Sequence, residues 1–187
     1  MHPLPRVSLR HVGIYVTDFD TMLDFYCRLF GFQVSDASDE HKGHKVAFLS
    51  NDPNAHHVFV MASGREKGSQ STINQISFYV DTLADVRRYW QALGKEQLVT
   101  RKYATTHGNA WSVYFWDPED NRVEVYTDTP WHIPQPAGAD IDLEHSDADI
   151  YRQTEALVRA DRGFEPFADW RVKTAKKLGL TDFRIQS

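Results

Sequence analysis

Residues 71–90 read STINQISFYVDTLADVRRYW, and residues 8–27 read SLRHVGIYVTDFDTMLDFYC. Laid together without a gap, His11 falls on Gln75, 64 positions later, and Val12, Ile14 and Val16 fall on Ile76, Phe78 and Val80. Both runs alternate apolar with other residues, which is the pattern of a strand with one face under a helix. Thr17-Asp18 and Asp81-Thr82 follow as N-caps, whose side-chain oxygens accept from free backbone N–H groups. Phe19, Met22, Leu23, Phe25, Tyr26 and Leu29 in the first copy answer to Leu83, Val86, Tyr89, Trp90 and Leu93 in the second at helical spacing. Gly31 and Gly94 are expected to close the two helices as left-handed caps.

The second halves repeat as well. VAFLSNDPNAHHVFVM matches SVYFWDPEDNRVEVYT, with Asp52-Pro53 falling on Asp117-Pro118, 65 positions later. Each half reads as strand, Asp-Pro turn, strand. The chain is therefore expected to be α+β, with two βαβββ modules (about 8–64 and about 72–130) forming one cupped, barrel-like mixed sheet within residues 1–136. A helical extension is expected over 137–187. Its prolines favour an extended start. Ser146-Asp147-Ala148-Asp149 then resembles a capping box opening a helix to about Arg162, and a second helix follows Pro166 and ends at Gly179. This tail reads equally as a surface appendage on its own domain, a lid, or an arm across a dimer.

Composition narrows the function classes. The 187 residues are 41% hydrophobic and 13% aromatic, enough for a real core. A net charge of −5 argues against nucleic-acid or membrane-surface partners, which need a basic footprint. No apolar run approaches the ~18 residues of a membrane span. The first residues carry no secretory pattern, so a cytoplasmic location is expected, as is a homodimer or higher homo-oligomer. The single Cys27 excludes a disulfide scaffold and a cysteine-based zinc site, and reads as a small core residue.

HVGIYV, NQISFYVD, HGNAWSVYFWDPEDNRVEVY and the repeat itself resemble the vicinal oxygen chelate superfamily, over about residues 8–136. That superfamily includes glyoxalase I, bleomycin- and fosfomycin-resistance proteins and the type I extradiol ring-cleaving dioxygenases; the single-domain members of the last group are the most similar. The resemblance implies a divalent metal held by first-strand residues of the two copies and a last-strand glutamate, which here are His11, Gln75 and Glu124. Gln75 stands where the extradiol enzymes have a second histidine. The resemblance also implies that Tyr114, ten positions before Glu124, hydrogen-bonds a metal-bound substrate oxygen, and that His107 moves protons.

Alternation supports a shared face without the family. If Val12, Ile14 and Val16 face the helix, His11, Gly13 and Tyr15 face away, as do Gln75, Ser77 and Tyr79 in the second copy. Val123 and Val125 put Arg122, Glu124 and Tyr126 on one face, and Trp111, Val113 and Phe115 leave Ser112, Tyr114 and Trp116 there. An inward histidine and carboxylate need partners, because burying them unpaired is costly. Singly, each is more often structural or solvated, and Gln75 reads either as an amide-oxygen ligand or as a non-ligand polar residue.

At an offset of 65, Glu124 lands on Phe59, so one metal site is expected, with His57 and Met61 sharing the face of Phe59. Tyr15, Tyr79, Trp116, Asn109 and His57 are the candidate substrate-binding residues. Fe(II) is favoured, with Mn(II), Ni(II), Zn(II) or Mg(II) as alternatives, and the substrate is a small aromatic diol or an enediol. The alternatives to a catechol dioxygenase are a non-redox lyase, isomerase or transferase, and a metal-free binding or resistance protein. His2, His41, His44, His56, His132 and His145 form no metal spacing and read as surface.

Overall fold

The computed structural model describes residues 4–180 and Phe183. The chain divides into two compact units between Thr72 and Ile73. The class is mixed α+β, as expected. Hydrogen bonding gives each unit a sheet of its own rather than one continuous sheet through both.

The first unit runs β1 (Val12–Val16), α1 (Phe19–Phe30), β2 (Gln33–His41), β3 (His44–Ser50) and β4 (Phe59–Ser63), with sheet order β1-β4-β3-β2. Asp18 caps α1 by accepting from the Thr21 N–H, and Gly31 ends it at φ 68°. The apolar stripe Met22, Phe25 and Tyr26 is buried against β4. There Tyr26 and Phe32 stack on Phe59 at ring-centroid distances of 4.9 and 5.9 Å. Cys27 is half-buried, and burial pushes its thiol pKa up, which suits a packing residue.

The second unit opens with β5 (Ile76–Tyr79), α2 (Leu83–Leu93), β6 (Lys102–Thr106), β7 (Ala110–Trp116) and β8 (Arg122–Asp128). Thr82 caps α2. The short β9 (Trp131–His132) and β10 (Ala139–Asp140) come next, then α3 (Asp147–Ala160), β11 (Glu165–Pro166) and α4 (Phe167–Lys177). The main sheet has the order β10-β6-β7-β8-β5, and β11 pairs with β9. Ile76, Val113, Phe115, Val123 and Val125 are buried on the side that α2 covers.

Gly94 departs from the expected left-handed cap. Its φ is −69°, and the last carbonyls of α2 find another donor: Lys102 Nζ reaches the Trp90 carbonyl at 2.5 Å and lies over the Trp90 ring. A Cβ at Gly94 would meet that ammonium at 3.2 Å, so glycine serves here for space rather than for φ.

The tail belongs to the second unit. Ser146 caps α3, whose Ile150, Thr154 and Val158 are buried. Thr154 Oγ1 accepts from Trp111 Nε1 at 2.8 Å and bonds Thr106 Oγ1 at 3.2 Å. Arg87 of α2 donates to the Leu143 and His145 carbonyls and to Asp147. Trp111 and Thr106 point to the face opposite Tyr114, so α3 packs beside α2 on the outer side of this sheet. This placement makes α3 an appendage of its own unit. His132, expected at the surface, is instead packed at 5.0 Å on Trp170 with its side chain 16% exposed. Among the described residues no helix is long and apolar enough to cross a membrane.

Candidate functional site

Strand register assembles the site in the second unit. Ser77 pairs with Glu124, Glu124 with Tyr114, and Tyr114 with Tyr103, so four side chains form one row across β5, β8, β7 and β6. Paired residues share a face, and α2 and α3 take the other one.

Glu124 is the centre. It is 6% exposed, and its Oε2 accepts from Ser77 Oγ at 2.6 Å and Gln75 Nε2 at 2.9 Å. Tyr114 lies across the β7–β8 register from the same carboxylate. Two donors, Ser77 in β5 and Gln75 just before it, thus hold a nearly buried carboxylate, which meets the expectation that an inward carboxylate has partners. Burial first, then the hydrogen bond to Glu124 and its charge, push the Tyr114 pKa up, so the phenol keeps its proton.

His107 completes the row through Tyr114. Its Nδ1 is 2.7 Å from the Ala137 carbonyl and its Nε2 is 3.1 Å from the Tyr114 hydroxyl. A carbonyl only accepts, so Nδ1 carries the proton and Nε2 faces the phenol. Tyr114 has one proton and two neighbours. It can donate to neutral Nε2, or donate to Glu124 while a protonated His107 donates to it. That geometry can pass a proton between imidazole and phenol. The tail fixes the loop: Gln135 Nε2 donates to the His107 carbonyl at 2.8 Å and to Asn109 Oδ1 at 3.1 Å. Gly108, at φ 80°, lets the turn pass Ile133 and Val158, where a Cβ would come within 2.7 and 2.9 Å.

Around this centre the face is aromatic. Tyr103 stacks on Tyr114 at 5.0 Å, Arg101 lies 3.8 Å over Trp116, and Tyr79 meets Tyr126 edge-on at 5.5 Å. Arg122 donates to Gln75 Oε1 at 3.0 Å and to Asn74 Oδ1 at 2.5 Å. The structure thus brings Gln75, Glu124, Tyr114 and His107 together, with Trp116 and Tyr79 on the same face. Asn109 is engaged as an anchor of the His107 loop.

His11, Tyr15 and His57 belong to the first unit. The His11 ring is 4.4 Å from that of His57, which also meets Phe48 at 5.1 Å. His56, expected at the surface, is exposed but engaged: its Nδ1 is 2.9 Å from that of His57 and its Nε2 2.7 Å from Asp36. Burial and the neighbouring imidazoles of His11 and His56 lower the His57 pKa. Tyr15 is 63% exposed and lies 6.0 Å from the His44 ring. His2 lies outside the described residues.

One register expectation is corrected. Val12 pairs with Phe59 and Ile76 with Val123, so the counterpart of Glu124 is Val60, not Phe59. Phe59 and Met61 face α1, and His57 does not share their face. The cause is the turn: the paired Leu49 and Phe59 lie two positions further apart in sequence than the paired Phe115 and Val123. A one-residue slip exchanges the faces of a strand. Val60 also offers no ligand, so Glu124 still has no partner glutamate in the first copy. Among the described residues no group of three or more His, Cys, Asp or Glu is gathered to hold a metal ion.

Sequence reasoning gave no role to Ser77 or Arg122. Alternation already aimed Ser77 and Arg122 at this face and could have found them. The Ala137 carbonyl has no sequence signal, because the contact is made by main chain.

A family model described as Glyoxalase/Bleomycin resistance protein/Dioxygenase superfamily matches residues 8–125. Biphenyl-2,3-diol 1,2-dioxygenase 2 of Rhodococcus globerulus is 28% identical over 123 residues, covering 63% of this chain and 61% of that protein. A probable trivalent organoarsenical cleaving enzyme of Bacillus subtilis (strain 168) is 29% identical over 119 residues, 62% of this chain and 77% of its own. Among solved structures, the fosfomycin resistance protein FosX of Mesorhizobium loti superposes with a TM-score of 0.51 at 24% identity, covering 68% of this chain and 94% of that one. The likeness to FosX is one of fold.

Proposed function

The chain belongs to the Glyoxalase/Bleomycin resistance protein/Dioxygenase superfamily, and we propose that it is a metal-dependent member that cleaves ortho-dihydroxylated aromatic rings with dioxygen. The observation that carries this reading is the row Glu124–Tyr114–His107: a buried carboxylate beside a protonated phenol that is itself beside an imidazole.

The donor chemistry of Glu124 and Gln75 fits a hard divalent cation, Fe(II) first and Mn(II) or Mg(II) next. Glu124 offers a carboxylate and Gln75 an amide at adjacent strands. As the side chains stand, the amide NH2 faces the carboxylate and Oε1 faces Arg122. Turning the end of the amide by half a rotation would bring Oε1 to the Glu124 side and give up its bond to Arg122, which keeps Asn74 Oδ1 as its acceptor. A cation held by Glu124 and Gln75 would supply a Lewis acid toward the two oxygens of a diol.

The chain's own residues do the rest. Tyr114 keeps a proton to donate to a substrate oxygen, because burial and Glu124 disfavour its phenolate. His107 takes up and returns protons at Nε2, in the tautomer that Ala137 selects. Tyr79 and Trp116 give the face flat apolar surface for a planar ring. The similarity to a biphenyl-diol dioxygenase supports the same substrate class.

The test is anaerobic loading with Fe(II) followed by air and a panel of catechols. A yellow ring-fission product is expected, and its absence across the panel sinks the dioxygenase reading. The Gln75 amide, an oxygen donor in place of a second imidazole, favours one alternative, a non-redox isomerase or lyase. Turnover of enediol-forming substrates with Mn(II) or Ni(II) under argon would support that alternative.

A further inference from the structure

We propose that Arg122 is the recognition point for an anionic group, so that the substrate is an aromatic diol carrying a carboxylate. This deepens the ring-cleavage reading and rests on it for the diol, while the argument for the anion stands on Arg122 alone.

Arg122 opens β8 on the face of Glu124, two residues earlier and so about 7 Å away along the strand. Its guanidinium is half-buried, 5.5 Å from the centre of the Tyr114 ring. Its acceptors, Asn74 Oδ1 and Gln75 Oε1, are neutral, and one terminal nitrogen serves both. The other terminal nitrogen has no partner among the described residues, and Nε is buried without one.

Several other arginines of the unit meet a carboxylate. Arg87 meets Asp147 at 2.6 Å, Arg101 meets Asp120 at 3.0 Å, Arg152 meets Asp149 at 2.6 Å and Arg171 meets Asp128 at 3.0 Å. Arg101 and Arg152 are exposed, whereas Arg122 is half-buried and has no carboxylate among the described residues within ion-pair distance. One terminal nitrogen is held by the Asn74 oxygen whichever way the Gln75 amide is turned, and the other is left to donate to a carboxylate oxygen. Its place beside Tyr114 and Gln75 sets that carboxylate at the rim of the diol position.

Affinity is read under argon, so that turnover is blocked, on the full chain as purified. The probes are 2,3- and 3,4-dihydroxybenzoate, each against its dihydroxybenzamide, a neutral analogue of nearly equal shape. The wild-type protein is expected to bind one benzoate at least about tenfold more tightly than its amide, the size of a charged hydrogen-bonded pair. Arg122→Met is expected to bring that ratio within about twofold, and Arg122→Lys to keep part of it. The ratio is the readout because loss of the Gln75 anchor weakens both probes alike. Equal binding of acid and amide in the wild type overturns the proposal, as does a ratio that survives in Arg122→Met. If the Met variant does not fold, the ratio in the Lys variant decides. Discrimination without any ring-fission product leaves Arg122 as an anion site and removes the dioxygenase reading; ring fission without discrimination does the reverse.

Discussion

Replacing Thr154 by valine keeps the shape of a fully buried side chain and removes one hydroxyl. That hydroxyl accepts from Trp111 Nε1 at 2.8 Å and bonds Thr106 at 3.2 Å. Thr106 keeps two other partners, the Gly108 N–H and the Ala110 carbonyl. The indole N–H keeps none of those the structure gives it, and Trp111 is 2% exposed. An orphaned buried donor costs about 1–3 kcal/mol. For a chain of this size each kcal/mol moves the melting temperature by about 2–4 °C, so a fall of about 4–8 °C is expected for a middle cost near 2 kcal/mol. Thermal unfolding followed by far-UV circular dichroism measures it, with Thr154→Ser as the control that keeps the hydroxyl. A valine variant that melts within about a degree of wild type would refute the packing of α3 on the outer face of the second sheet.

Tyr114 gives a pH prediction. Burial and Glu124 raise its folded pKa, so above the ordinary tyrosine value near 10 the folded chain binds a proton that the unfolded chain releases, and stability falls with rising pH. Urea melts between about pH 9 and 11 should therefore show wild type losing stability that Tyr114→Phe retains; parallel curves would contradict the assignment. Ser112 lies on the site face with a buried hydroxyl that has no partner. Ser112→Ala is expected to be neutral or slightly stabilising, within about 0.5 kcal/mol, and a loss above about 1 kcal/mol in denaturant melts would mean the hydroxyl has a partner in solution.

Much of this was readable in the sequence because it depends on local pattern. Alternation put Glu124, Tyr114, Ser77 and Gln75 on one face; the sheet pairs Ser77 with Glu124 and Glu124 with Tyr114, and Gln75 reaches Glu124 from just before β5. Asp18, Thr82 and Ser146 cap the helices they were expected to cap. What escaped depends on distance in sequence. The longer first-copy turn shifted the register and made Val60, not Phe59, the counterpart of Glu124. Gly94 reads as a left-handed cap until Lys102, eight positions on, satisfies the carbonyl ends. The place of the tail stayed open between appendage, lid and dimer arm because the contact that docks α3 is one hydroxyl, Thr154, facing the distant Trp111. His107 carried no sign that the Ala137 carbonyl would set its tautomer.

The central claim is that Glu124 anchors a divalent-metal site. The most direct measurement is the metal content, by elemental analysis, of folded protein purified without chelator, for wild type and Glu124→Ala side by side after loading and desalting. The account predicts about one divalent ion per chain in wild type, as one carboxylate-centred site would hold, and its loss in the variant. Wild type that retains no metal, or a variant that retains as much as wild type, would contradict it.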